Sequence, residues 1–76
     1  MDIVRGIVIP ADWDLNGNIV KLSIASSDEQ EYLIENHHKI AKLKTLLRQE
    51  VVASGSIRDK KNYKTIKVAA IHQEKT

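Results

Sequence analysis

Apolar residues recur along this chain with two different periods. In most of it they alternate with polar residues every second position, the signature of half-buried strands; in one stretch the period lengthens to 3.6. Ile3 to Ile9 is a short β-branched run with Gly6 inside it. Ile19 to Ala25 places Val20, Leu22 and Ile24 on one face and Lys21 and Ser23 on the other. Ser26-Ser27-Asp28 reads as a turn. Glu31 to Glu35 then alternates again, with Tyr32 and Ile34 opposite Glu31, Leu33 and Glu35.

From His37 to Gln49 the apolar stripe Ile40, Leu43 and Leu47, with Leu46 beside it, predicts an amphipathic helix. Asn36 is its expected N-cap, and Lys44 and Arg48 suit the negative end of its dipole. The strand period returns at Val51. Val51, Ala53, Gly55 and Ile57 face one way, and Val52, Ser54, Ser56 and Arg58 the other. The polar stretch DKKNYK (59–64) predicts a hairpin loop, and Thr65 to Ile71 the last strand, with Ile66 and Val68 inward. Residues 72–76 read as a flexible tail. The expected core is Val4, Ile7, Val20, Leu22, Ile24, Ile34, Ile40, Leu43, Leu47, Val51, Ile57, Ile66 and Val68.

The order is β-β-β-α-β-β, and at these lengths it predicts an all-β domain with one helix, spanning residues 1–76. It resembles the oligonucleotide/oligosaccharide-binding (OB) fold, a five-stranded Greek-key barrel with a helix between its third and fourth strands. Gly6 and Gly55 interrupt apolar runs, as glycines do at barrel corners and bulges. An SH3-type barrel is the competing architecture, but it does not need a helix of three turns here. More narrowly, GIVIPADWDLNGN, DEQEYLIE and VVASGSIRDKKNYKTIKVAAI are similar to a group of small, stand-alone bacterial proteins of the OB fold, which have no settled biochemical role. The resemblance implies a fold and leaves the function open.

Seventy-six residues suffice for one small core, and the absence of Cys removes disulfides and thiolate metal sites. No leader or membrane-spanning run is visible, so a cytoplasmic protein is expected. Net charge is only +2, but it is unevenly spread. Residues 1–36 hold seven acids and two bases, a balance of −5; residues 37–76 hold ten bases and three acids, a balance of +7. Such asymmetry points to a nucleic-acid partner unless the two halves interleave in the fold.

The stretch DWDLNGNIVKLS (12–23) follows the first half of a calcium loop, with Asp12, Asp14 and Asn16 at alternate positions and Gly17 at the sharp turn. Its twelfth position, which requires a bidentate Glu, is Ser23, and its flanks read as strands rather than helices. A two-residue hairpin turn at Asn16-Gly17 explains the same letters, leaving weak calcium binding as a remote alternative. His37 and His38 are adjacent, hence about 100° apart on a helix, and His72 is distant, so no metal site is expected. No nucleophile motif, paired acids or phosphate-cradling loop is present; the expectation is a protein that is not an enzyme and needs no cofactor.

The remaining candidates are two surfaces. Barrels of the OB kind bind single strands with the faces of strands two and three and the loops joining strands 1–2 and 4–5. The corresponding residues are Trp13, Lys21, Arg58, Lys60, Lys61, Tyr63 and Lys64, giving weak, sequence-tolerant binding of single-stranded DNA or RNA. Asp12, Asp14, Glu31 and Glu35 oppose this, because carboxylates repel phosphate. The alternative is a protein-interaction surface at Glu31, Leu33 and Glu35. A monomer without a membrane partner is expected in either case.

Overall fold

The computed structural model describes residues 1–35 and 40–74, Ile40 by its backbone alone. Five strands carry the chain: β1 (Asp2–Trp13), β2 (Ile19–Ser26), β3 (Glu31–Ile34), β4 (Glu50–Asp59) and β5 (Lys64–Gln73). Between β3 and β4 lie α1 (Ile40–Leu43) and a 3-10 turn (Lys44–Leu46). The strands close into a barrel in the order β1-β2-β3-β5-β4. Neighbours run antiparallel except β3 and β5, which are parallel. The sequence order is β-β-β-α-β-β as expected, while in space β5 lies between β3 and β4, and the architecture is compatible with an OB-like fold.

Closure depends on β1 serving two neighbours. Its first half pairs with β4 from Asp2 to Ile7, and its second half with β2 from Gly6 to Trp13. Gly6 is paired on both sides, to Ser26 and Val51. A Cβ there would overlap the carbonyl oxygen of Ala25 and lie 2.7 Å from its carbon. Gly55 plays the same part in β4: a Cβ would overlap the carbonyl oxygen of Lys67 and lie 2.9 Å from its carbon. A register shift between Ser54 and Gly55 leaves Ala69 bulged out of β5. The expectation that both glycines mark close turns of the barrel wall is thus met by backbone contact.

The core gathers Val4, Val8, Leu22, Ile24, Tyr32, Ile34, Leu43, Val51, Ala53, Ile66 and Val68, with Leu46, Leu47 and Ile57 packed against it. Two expected members lie outside. Ile7 is 45 % exposed because β1 keeps strict alternation, Val4, Gly6 and Val8 facing in. Val20 is 37 % exposed because the register skips it: Lys21 pairs with Asp12, and Ile19 with Trp13.

The helical segment ends at Leu46, earlier than the sequence pattern predicts, and Leu47 is already extended at φ −53°, ψ 132°. The next residues are drawn onto β1. Arg48 N donates to Val8 O at 2.8 Å, and Val8 N to Gln49 O at 3.3 Å, with Arg48 at φ 64°. These bonds replace a last helical turn. Asn36, His37 and His38 fall outside the described residues, as does the side chain of Ile40. At the other end β5 continues through His72 and Gln73, which pair with Val52 and Val51.

Among the described side chains of α1, Leu43 enters the core, and it is 1 % exposed. Leu43→Ala is expected to lower the unfolding free energy by about 2–5 kcal/mol, read by urea titration. Gly6→Ala, which forces backbone apart at the barrel seam, is expected to cost about 1–3 kcal/mol or more. A midpoint equal to the parent's for Gly6→Ala contradicts the seam described here.

Candidate functional site

The β1–β2 connection is a rigid tip. Asp14 Oδ1 accepts hydrogen bonds from the amides of Asn16 and Asn18, both at 2.9 Å, and Oδ2 from Asn18 Nδ2 at 3.3 Å. Gly17 N donates to Asp14 O at 3.1 Å, and Gly17 alone in the loop has positive φ, 84°. The result is a three-residue loop, Leu15-Asn16-Gly17, in place of the expected two-residue turn; the left-handed position falls on Gly17 only. Asp12 Oδ1 meanwhile accepts from Trp13 N at 2.9 Å. The carboxylates of the calcium-like stretch thus serve the turn, and Asp14 is held below its ordinary pKa chiefly by the Asn18 amide. Among the described residues no group of three or more acids or histidines is arranged to hold a metal.

On the outer wall, strand pairing aligns Ser23, Leu33, Thr65 and Arg58 in one row across β2, β3, β5 and β4. Beside it lies an open hollow of about 290 Å³ lined by Ala11, Lys21, Ser23, Glu31, Leu33, Tyr63 and Lys64. Ser23 is buried at 3 % and Leu33 half-buried, so the hollow has a packed floor. Ala11 reaches it because the register of β1 shifts between Pro10 and Asp12. The β4–β5 hairpin closes with Lys60 N donating to Tyr63 O at 2.8 Å, which fixes Tyr63 at the rim.

Residues expected on two separate surfaces therefore meet in one place. Lys21, Tyr63 and Lys64 share the hollow with Glu31 and Leu33. Arg58, Lys60 and Lys61 stand on the adjoining hairpin, exposed and without an ion pair among the described residues. Lys64 has one partner, Asp59 Oδ1 at 3.8 Å. Trp13 is not among the lining residues; it pairs with Ile19 at the end of the β1–β2 hairpin.

Glu35 belongs to a different arrangement. Its Oε2 accepts a 2.6 Å hydrogen bond from Thr65 Oγ1, which is the chief reason its carboxyl lies below the usual range. Partial burial pushes the other way, and Arg58, Lys60 and Lys67 add to the lowering. Neither Thr65 nor Lys67 is marked by any sequence motif, although strand alternation puts Lys67 on the outer wall. Two other hollows exist: one between Lys42, Leu43 and residues 68–72, one around Arg5, Gly6 and Ile7. Neither is lined by a Trp, Tyr or Phe side chain among the described residues.

No family model, curated protein or solved structure matches this chain. Among the described residues no helix is long and apolar enough to cross a membrane.

A carboxyl whose pKa is lowered by folding stabilises the fold fully above its unfolded value and loses that contribution as pH falls through the folded one. For Glu35 the loss sets in below the ordinary value of 4.5. The urea midpoint is expected to fall with acidification in that window, and to fall less steeply in Glu35→Gln. Asp14 and Asp28, also lowered, retain part of the slope in the variant. Equal slopes for parent and variant contradict the role given to the Thr65 contact.

Proposed function

We propose that this chain is a non-enzymatic OB-fold binding module for single-stranded nucleic acid, engaging it weakly and with little sequence preference along the outer wall of β2 and β3. The observation that carries the reading is the meeting of Tyr63, Leu33, Lys21 and Lys64 in one hollow beside the cationic β4–β5 hairpin. Tyr63 offers a face for base stacking, Leu33 an apolar floor, and the lysines a path for phosphates. Glu35 stays ionised on the same wall, and the nearby Arg58, Lys60 and Lys67 offset its repulsion of phosphate. Glu31 remains as an opposing charge within the hollow, consistent with low affinity.

The assignment to the OB fold rests on strand order, the parallel β3–β5 pair and the helical segment between β3 and β4. The kinship with small bacterial barrels rests on the sequence runs alone. The protein-interaction reading uses Glu31 and Leu33 in the same hollow, but Glu35 is engaged by Thr65 and contributes less to it.

Amide NMR titration with a mixed-sequence single-stranded oligonucleotide at low salt is expected to shift Lys21, Leu33 and residues 58–64. With Lys21, Arg58, Lys60 and Lys61 as four cations meeting phosphates, log affinity is expected to fall against log salt with a slope of roughly −3. Tyr63→Ala is expected to weaken binding about tenfold, in the range measured for loss of one stacked base. No shifts, or an affinity indifferent to salt, overturns the proposal.

A further inference from the structure

The β1–β2 hairpin end has a feature that the barrel does not use. Leu15 is 106 % exposed at the loop tip and Trp13 is 53 % exposed, with Val20 on the returning strand also outside the core. Single exposed apolar residues are ordinary on protein surfaces. Here Trp13 and Leu15 lie two residues apart at one hairpin end, and the tip is locked by four hydrogen bonds to Asp14. Asp12 and Asp14 put negative charge around this apolar tip. That charge repels phosphate, so the tip is a poor extension of a nucleic-acid track.

The surface complementary to such a tip is an apolar depression with a basic rim, and the same molecule carries one. The hollow with Leu33 at its floor and Tyr63 at its edge is flanked by Lys21 and Lys64, with Arg58, Lys60 and Lys61 beyond. Among the described lining residues Glu31 is the one acid. At about 290 Å³ it has room for a bulky side chain. Because Asp12 stands directly across from Lys21, tip and hollow are neighbours on one side of the barrel.

We propose that the occupant of this hollow, in the protein alone, is the Trp13–Leu15 tip of a second copy. A two-fold pair lets each copy insert its tip into the other's hollow, satisfying both surfaces and closing the assembly at a dimer. The contact is small, so a dissociation constant of roughly 0.1–1 mM is expected and the chain is monomeric when dilute. The dimer occupies the hollow assigned to nucleic acid, but its evidence is the acidic apolar tip and stands apart from that assignment.

Sedimentation velocity without nucleic acid, at concentrations up to about 1 mM, tests this. The weight-average sedimentation coefficient is expected to rise with concentration toward a dimer, and less so in high salt. Leu15→Asp at the tip and Lys61→Glu at the hollow should each weaken association at least tenfold; both positions are exposed loop residues, and circular dichroism checks that the fold is kept. An equimolar mixture of the two variants should associate more than either alone, since one intact tip then meets one intact hollow. A monomer throughout, association that Leu15→Asp leaves unchanged, or a mixture no better than its components overturns the proposal. Any of these leaves the oligonucleotide titration, a separate measurement, free to stand or fall.

Discussion

The structure depends on the point where β1 passes from one neighbour to the other with a carbonyl of β2 pressed against it. Gly6 is bonded into both pairings, and its missing Cβ lets the Ala25 carbonyl approach. Any side chain there pushes β2 away from β1 at the place where the sheet must bend. A flat sheet of five short strands leaves two open edges; a bent one removes them by closure. Gly55 repeats the arrangement between β4 and β5, next to the bulge at Ala69. Two absent side chains thus determine where the barrel curves.

That curvature decides which side chains share a surface. With β3 only four residues long, the outer wall is made from β2, the short β3 and the start of β5. Leu33 then lies between Ser23 and Thr65, and Tyr63 enters from the β4–β5 hairpin. Thr65 also anchors Glu35, while Glu35 N donates to Ile66 O at 2.9 Å. These bonds join the end of β3 to β5 where the parallel pairing stops, and the same carboxylate is placed among cations of the wall.

Much of the fold was legible because strand alternation is a local property. The inward sets of β3 and β4 follow from counting every second residue, as do Leu22, Ile24, Ile66 and Val68. The misses have local physical causes that a period cannot carry. Apolarity alone puts Ile7 inside, against the parity that buries Val4 and Val8. Val20 has the right parity, but a register shift removes it, and such shifts leave no clear mark in composition. The helix ends before its period does because hydrogen bonds from Arg48 and to Gln49 tie the chain to Val8, about forty positions away in sequence. The site was legible as residue types. That both candidate surfaces share one hollow follows from the β2–β3–β5 register.

The charge asymmetry between the chain's two halves has a mixed fate in space, and that distinction bears on binding. Interleaving offsets part of it at a distance: Lys44 acts weakly on Asp14, and Glu35 feels Arg58, Lys60 and Lys67, without an ion pair in either case among the described residues. What survives is concentrated at two hairpins. The β1–β2 tip keeps Asp12 and Asp14, and the β4–β5 hairpin keeps Arg58, Lys60 and Lys61. Hairpin ends project from a barrel, so their charges are the ones least answered by neighbouring strands. A partner approaching this protein therefore meets two localised poles, with a hollow of mixed character between them. On such a surface the local charge pattern, more than the net charge of +2, sets which pole a charged group is drawn to.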